Sequence, residues 1–183
     1  MLNSLFRKRP AERVGDPLYA AVAAQARQPG FYTALGVADR IDARFELYTL
    51  HALLLILRLR DEDQNEAGPN SGEGVEAAQS LFDAYVSALD NVLRELGVGD
   101  VSMAKKMRTL GEALYGRMTA YENPLRAGDA AALSTGLARN VFESEDAERG
   151  AALARYAIAA REGLAAQSFA AVLKQPSWPE ITA

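Results

Sequence analysis

The chain has 183 residues, of which 49% are hydrophobic and 24% charged, and these proportions are typical of a globular protein with one core, neither disordered nor membrane-spanning. It contains no cysteine, which excludes disulfides, thiolate chemistry and cysteine-ligated zinc. The formal net charge is −4, but acidic residues and no basic ones fall between positions 61 and 76, so the rest of the chain is mildly basic. That charge density is far below that of a DNA-binding domain, and we expect no DNA partner.

Residues 1–15 form a basic segment ahead of the first predicted helix. Its apolar residues precede its basic ones, whereas a secretory signal has the opposite order, so we do not interpret it as one. Two interpretations stay open: a flexible tail, or a short interfacial anchor whose apolar side chains enter lipid while the basic ones meet anionic headgroups. The second implies weak, peripheral contact with a membrane. The residues concerned are Leu2, Leu5, Phe6, Arg7, Lys8, Arg9 and Arg13.

The first helix is predicted to start at Asp16 and Pro17, with Asp at the cap and Pro at the first helical position. A Pro-Gly pair at 29–30 ends it. The adjacent aromatics Phe31 and Tyr32 then begin a short apolar turn, for which core packing is the first expectation and partner contact the second.

The next helix is predicted to start at Asp39 or Asp42 and to end near Arg60. Its middle, Ala52–Leu57, is apolar all round, which indicates a central helix covered on most sides. That stretch is far shorter than the roughly 20 residues that span a bilayer. His51 is the one histidine of the chain, and without a partner at ligand spacing it is expected to be a hydrogen-bonded core residue rather than a base or metal ligand.

Residues 61–74 contain no large apolar side chain and several helix breakers, so they can bury almost nothing. We predict a mobile acidic loop here that is dispensable for folding. A solvated linker is the simplest interpretation, and the alternative is that its carboxylates shield a basic binding face when no partner is bound.

Residues 79–117 are predicted to form two helices joined by a tight turn. In each helix, apolar residues recur at spacings of three and four, so we expect the two apolar faces to pack together as an antiparallel hairpin. A glycine in the turn ends the first helix at Leu96, and Asp100 or Ser102 caps the second helix, which starts near Val101. The turn residues are Gly97, Gly99 and Asp100. The apolar stripes are Phe82, Tyr85, Val86, Leu89, Val92, Leu93 and Leu96 in the first helix and Met103, Met107, Leu110, Leu114, Met118 and Tyr121 in the second.

Beyond the hairpin, Asn123 and Pro124 interrupt the helical pattern, and Gly128–Asp129 offers a cap for a further helix. Acidic residues at 145–146 then open one long final helix, which Pro176 stops. Its inward-facing residues are predicted to be Leu153, Tyr156, Ala157, Ala160, Leu164, Ala171 and Val172.

These elements add up to a single all-α domain. It spans residues 16–175 and has about seven helices around the central helix and the helical hairpin. Residues 176–183 form a C-terminal tail with the one tryptophan of the chain, Trp178, which either docks on the body or hangs free.

The sequence carries no recognisable catalytic motif: no phosphate-binding glycine loop, no paired histidines and no nucleophile elbow. We therefore expect a binding protein, not an enzyme, without cofactor or metal. Basic residues beside the stripes of the hairpin either snorkel and pair locally, or form a partner-binding flank with the aromatic pair. That flank comprises Arg94, Lys105, Lys106, Arg117, Phe31 and Tyr32. An enzyme, the alternative, would have to use Asp83, Asp90 and His51 around a helical cleft.

Four blocks of the sequence resemble the ubiquinol–cytochrome c chaperone family, the assembly factors for cytochrome b of the respiratory bc1 complex. The longest is LFDAYVSALDNVLRELGVGDVSMAKKMRTLGEALYGR at 81–117, and the others are LYAAVAAQARQPGFYTALGVAD at 18–39, RFELYTLHALLLILRLR at 44–60 and ARNVF at 138–142. They occur in the order of the family. Ala38 and Ala43 depart from its pattern, which more often has Pro and Gly there, and both concern a helix entry.

As a bacterial member of such a family, the protein would hold newly synthesised cytochrome b until haem and partner subunits are added. The resemblance also implies contact with the ribosome and with a second assembly factor, as in mitochondrial members. The expected location is cytoplasmic, peripheral to the inner face of the cytoplasmic membrane. A helical adaptor for an unrelated client is the alternative that the residues leave open.

Overall fold

A computed structural model describes residues 14–63, 72–95 and 99–182 of the chain. Within these ranges the chain forms eight α-helices and no strand, which confirms the predicted all-α fold. The predictions for residues 1–13, for Leu96 and Gly97 and for the last residue lie outside them. The helices are α1 (Gly15–Ala26), α2 (Pro29–Thr33), α3 (Ile41–Glu62), α4 (Glu73–Glu95), α5 (Asp100–Ala127), α6 (Ala130–Val141), α7 (Glu148–Ala165) and α8 (Phe169–Lys174).

Helix α3 is the centre of the fold, as predicted. Every residue from His51 to Leu59 is buried, because helices α1, α4, α5, α6 and α7 all pack around it. A helix that is apolar all round can only be accommodated in such a position. Leu50, Leu53 and Leu54 are at most 1% exposed, and each buried leucine contributes about 1.5–3 kcal/mol to the free energy of unfolding.

The predicted boundaries of the loop 61–74 are wrong at both ends. Asp61 and Glu62 belong to the last turn of α3, and Glu73 and Gly74 to the first turn of α4. The Asp63 carboxylate joins the two helices, since it accepts the backbone N–H groups of Gly72 and Val75. A Cβ at Gly74 would overlap the carbonyl oxygen of Leu59, so α4 starts in direct contact with the end of α3. The described residues of the segment bury no large apolar side chain. Their carboxylates order it by accepting hydrogen bonds from backbone N–H groups and from arginine side chains. Residues 64–71 lie outside the described part of the chain.

Helices α4 and α5 follow each other as predicted, but their apolar stripes do not pack face to face. Helix α4 packs mainly on α1 and α3, while α5 packs mainly on α6 and α3, and the two helices touch only marginally. In α4, Tyr85 is fully buried, and its hydroxyl shares a hydrogen bond of 2.7 Å with the Thr49 hydroxyl. Phe82 and Leu89 are only partly buried, and Val92 is exposed.

One predicted helix end is displaced, and the helix start that follows it is where the sequence predicts it. Helix α5 continues through Pro124, whose missing N–H removes one backbone hydrogen bond near a helix end, and it stops at Ala127. Gly128 takes a left-handed conformation with φ 66°, and the Asp129 carboxylate caps α6 by accepting the N–H of Ala132, as predicted.

The predicted long final helix is two helices. Helix α7 ends at Ala165, and α8 begins after Ser168, whose hydroxyl accepts the N–H of Ala171. The Arg58 guanidinium binds the carbonyl oxygens of Leu164 and Gln167, so α3 provides donors for the carbonyls at the end of α7. Ala171, expected to face inward, is exposed because of the break.

The chain after α8 lies against the body. The indole of Trp178 packs edge-on against the His51 ring at 5.2 Å between centroids, and Ile181 contacts Gly30. Of the two alternatives for Trp178, docking is therefore the one observed.

Candidate functional site

Arg117, predicted as a partner-binding residue, is half-buried and paired with a buried carboxylate of another helix. Its guanidinium donates to the Glu46 carboxylate of α3, from Nη2 and Nε to Oε1 at 2.8 and 3.0 Å and from Nε to Oε2 at 3.2 Å. Glu46 is 4% exposed. Burial raises the pKa of Glu46, and the hydrogen bonds from Arg117 oppose that rise. This pair fixes α5 to α3, so we assign Arg117 a structural role.

The aromatic pair does not form a surface either. Phe31 is fully buried and stacks edge-on against His51 and Tyr156, with centroids 5.1 and 4.9 Å away. Tyr32 is half-buried, and its hydroxyl donates to the carbonyl oxygen of Ala26. The expectation of core packing is correct for Phe31, which cannot contact a partner in this structure.

The remaining three predicted residues are exposed but dispersed. Arg94 pairs with Asp90 one turn earlier on α4, at 2.7 Å. Lys105 and Lys106 lie on α5. The six residues predicted to form one flank are therefore one core residue (Phe31), one half-buried aromatic (Tyr32), one partner of a buried carboxylate (Arg117) and three dispersed surface charges.

The residues of the catalytic alternative do not share a cleft, because His51 is in the core and Asp83 is on the surface. His51 is buried between the Leu47 carbonyl oxygen at 2.7 Å and the Tyr156 hydroxyl at 2.9 Å, and burial lowers its pKa to about 4. Asp83 is exposed on α4, where it accepts a hydrogen bond from Gln79. The part of the chain that the structure describes holds no group of three carboxylates or imidazoles arranged for a metal ion.

The strongest candidate site is an open apolar groove where α4 and α5 diverge over α3. Its volume is about 470 Å³. Two of its residues are large apolar side chains left in solvent: Tyr115 is 74% exposed and Val75 is 53% exposed. The groove is lined by Ile56 and Arg60 of α3, Val75, Ala78, Gln79 and Phe82 of α4, and Tyr115 and Met118 of α5.

One face of α4 extends the groove along the molecule. At about 100° per residue, Val75, Phe82 and Leu89 fall within roughly 40° of one another. Phe82 and Leu89 are only partly buried, because α5 turns away instead of covering them. The face is therefore an apolar stripe with a partly open side, of the kind that binds an apolar helix.

An acidic edge runs beside this stripe. Glu76, Asp83 and Asp90 are spaced by seven residues, which places them in a row roughly 100° round α4 from Phe82, on the side away from the core. Glu76 and Asp83 are exposed. The site thus combines an apolar floor with a negative border on one side and Arg60 at the α3 side.

Tyr115 was not singled out by the sequence because it lies off the apolar stripe of its helix. An aromatic residue outside the stripe was the available signal. Lys106 and Arg117 lie roughly 160–180° round α5 from Tyr115, so these two residues of the predicted flank face away from the groove.

No helix in the described ranges is both long enough and apolar enough to cross a membrane.

Comparison with known proteins gives two consistent matches. Residues 33–178 match the family model described as ubiquinol-cytochrome C chaperone. The fold matches the crystal structure of the Cbp3 homolog from Brucella abortus with a TM-score of 0.77 and 30% sequence identity, over 99% of this chain and 98% of that one. No curated protein matches the sequence.

Proposed function

Because the chain belongs to the ubiquinol–cytochrome c chaperone family, we propose that it binds newly synthesised cytochrome b and supports assembly of the ubiquinol–cytochrome c reductase (bc1) complex. Membership in this family implies a chaperone rather than an enzyme. The observation that carries the proposal is the apolar groove between α4 and α5, with Tyr115 and Val75 exposed on opposite walls.

The chemistry of the groove fits a segment of an unassembled membrane protein. Such a segment needs apolar contact, and the floor of the groove is formed by Ile56, Phe82 and Met118. Membrane helices carry basic residues next to their cytoplasmic ends, and Glu76 and Asp83, which are exposed on the acidic edge, offer the opposite charge. An apolar patch made of several neighbouring side chains marks a binding surface more often than a single exposed residue does, and Tyr115 and Val75 border such a patch.

The remaining expected partners belong to the same proposal. Lys105 and Lys106 are exposed positive charges on α5, and we assign them to contact with an anionic partner such as the ribosome. Arg94 lies in the last turn of α4, the helix that precedes α5 in the chain. A second assembly factor and a position peripheral to the inner face of the cytoplasmic membrane complete the proposal, since cytochrome b inserts there.

The test is a pull-down from gently solubilised membranes with variants on both walls of the groove. We expect Tyr115→Glu and Val75→Glu to lose co-purified cytochrome b and to deplete the assembled bc1 complex, because a charge in the groove opposes apolar contact. Both side chains are exposed, so the free energy of unfolding should change by only about 0.5 kcal/mol.

The matched control is Ile41→Glu, which changes an equally exposed apolar residue, 66% exposed, outside the groove. It should retain cytochrome b and the bc1 complex. Unchanged co-purification in both groove variants, with the fold intact by circular dichroism, would remove the groove as the client site.

A further inference from the structure

We infer that a second surface of the molecule binds a protein segment in which one carboxylate lies among apolar side chains. This surface forms where the end of α1 and the short helix α2 meet the first half of α3. It consists of Tyr19, Arg27, Tyr32, Arg44 and Tyr48, which we call the tyrosine–arginine cluster. The inference does not depend on the groove or on its client.

Arg27 is the centre of the cluster. It follows the last residue of α1, and its exposed side chain turns towards α3, where Nε donates to the Tyr48 hydroxyl at 2.5 Å. The guanidinium carbon lies 5.6 Å from the centre of the Tyr48 ring. Arg27 has no other partner in the described ranges, so its Nη1 and Nη2 groups face solvent. A guanidinium held in this way presents a planar set of donors that matches an anionic oxygen pair.

Tyr19 adds a second unused donor next to Arg27. Its ring stacks on Tyr85 of α4 with centroids 6.0 Å apart, and its hydroxyl has no hydrogen-bond partner in the part of the chain that the structure describes. Burial and the neighbouring Tyr48 raise the pKa of Tyr19, while the charge of Arg27 lowers it, so the phenol lies close to both. Because the ring is already ordered by stacking, contact with a partner costs it little side-chain entropy.

The other positive charges around the cluster are already matched. The Arg44 guanidinium carbon lies 5.9 Å from the centre of the Tyr32 ring, and its Nε donates to the Asp39 carboxylate at 2.6 Å. Arg40 pairs with Glu143 at 2.8 Å. Of these three arginines, Arg27 is therefore the one without a carboxylate partner among the described residues.

A single unmatched cation indicates which kind of anion the cluster fits. Nucleic acids carry a phosphate at every nucleotide and are bound by several Lys and Arg side chains at once, and anionic membranes likewise attract groups of basic residues. One carboxylate needs one guanidinium. The half-buried rings of Tyr19, Tyr32 and Tyr48 offer apolar contact to the residues beside that carboxylate. Tyrosine and arginine are also among the residue types that carry most binding energy in protein interfaces, which favours a protein segment.

The cluster and the groove are separate sites. Tyr48 precedes Ile56, the residue of α3 on the floor of the groove, by eight positions. At 1.5 Å per residue, the two lie about 12 Å apart along the axis of α3. We therefore expect variants of one site to leave binding at the other unchanged.

The experiment uses nuclear magnetic resonance of the full chain and two defined peptides, acetyl-Leu-Glu-Leu-amide and acetyl-Leu-Gln-Leu-amide. The first carries one carboxylate between apolar side chains, and the second is its neutral match. We expect the acidic peptide to shift the side-chain N–H signal of Arg27 and the ring signals of Tyr19 and Tyr48. The neutral peptide should need a severalfold higher concentration for the same shifts, because it lacks the charge that the guanidinium recognises.

Variants of Arg27 test the contact itself. Arg27→Gln should abolish the preference for the acidic peptide, and Arg27→Lys should weaken binding severalfold, since lysine keeps the charge but not the planar donors. The matched control is Arg155→Gln, which removes an exposed arginine of α7 and should bind like the wild type. All three changes are on exposed side chains, so the melting temperature should stay the same.

Three results overturn the inference. Shifts that are absent, or equal for the two peptides, show that the cluster does not recognise a carboxylate. Shifts of the Arg27 signal by oligouridylate or phosphatidylglycerol vesicles, but not by the acidic peptide, assign the cluster to phosphate instead. Loss of the shifts in Tyr115→Glu places the peptide in the groove. Retention of the shifts in that variant supports the inference whether or not the groove binds the client.

Discussion

Arg117 and Lys106 look equivalent in the sequence, as two basic residues on one flank of the same helix, but their surroundings differ. The Arg117 guanidinium enters the protein to reach Glu46, which is almost fully buried, while Lys106 stays in solvent. Periodicity places both residues beside the apolar stripe and does not show which one has a partner on another helix. The carboxylate that decides this is 71 residues away in the chain.

We expect Arg117→Glu to destabilise the protein by about 3–5 kcal/mol, because it places a second negative charge beside a buried carboxylate. The matched control, Lys106→Glu, should change the free energy of unfolding by about 0.5 kcal/mol at most. Thermal unfolding followed by circular dichroism measures both. The double variant Glu46→Gln/Arg117→Gln should recover more than half of the loss, and an Arg117→Glu protein that melts like the wild type would contradict the structural role of the pair.

The buried His51 makes stability depend on pH. Burial lowers its pKa to about 4, whereas the unfolded chain has the ordinary value of 6.5, so between these values the unfolded chain binds a proton that the folded protein does not. Stability is therefore fully present above pH 6.5 and is lost as the pH falls towards 4, by about 3 kcal/mol at 1.36 kcal/mol per pKa unit.

The measurement is chemical denaturation of the wild type and of His51→Gln between pH 7.5 and 5, where ordinary carboxylates remain mostly ionised. Gln cannot titrate, so the curve of the variant should be flatter in this range. Trp178 packs on the imidazole, and its fluorescence can report unfolding in both proteins. Parallel curves would show that His51 does not set the pH dependence.

At the scale of elements, the junction between α3 and α4 shows why a polar segment can still be structural. Asp61 binds Arg126 of α5 and Arg161 of α7, and Asp63 holds the first backbone N–H groups of α4. Burial alone would raise the pKa of Asp61, but the hydrogen bonds from the two arginines outweigh it and lower that pKa. Four helices thus meet at two aspartates.

Replacing residues 61–74 by a Gly/Ser linker of equal length should lower the melting temperature by more than about 4 °C, since it removes these pairs and the cap of α4. One kcal/mol corresponds to roughly 2–4 °C at this chain length. Replacing only residues 64–71 is the control, with a smaller expected effect because it keeps both aspartates and Gly74. Equal melting temperatures for the two proteins would restore the interpretation of the whole stretch as a linker.

Helix limits were predictable where a local signal fixes them. Gly128 and Asp129 end one helix and begin the next through their own backbone and side chain, and the sequence predicts both. The break at Ser168 was missed because the apolar pattern continues across it, and Pro124 was overrated because it removes only one hydrogen bond near a helix end. Such cases are decided by neighbouring helices rather than by the residue.

At the scale of the whole molecule, the all-α fold and the central position of α3 follow from the sequence, but the groove does not. Phe82 and Leu89 have the spacing of core residues, and their partial exposure arises because α5 leans on α6 rather than on α4. Divergence of two helices is a property of the assembled packing. The residues of the groove can be recognised in the sequence as apolar, but the sequence does not show that no neighbouring helix covers them.

The contact of Trp178 with His51 has a consequence for the order in which the chain acquires its structure. His51 bonds to a tyrosine 105 residues later and is covered by a side chain later still, so this part of the interior closes through pairings of long sequence separation, which form slowly. Synthesis proceeds from the amino end, and α3 is therefore complete long before its last cover is made. A nascent chain that has not yet reached Trp178 lacks the indole that covers one side of the His51 imidazole. The protein proposed to protect an unfinished membrane protein thus has an unfinished state of its own until Trp178 emerges.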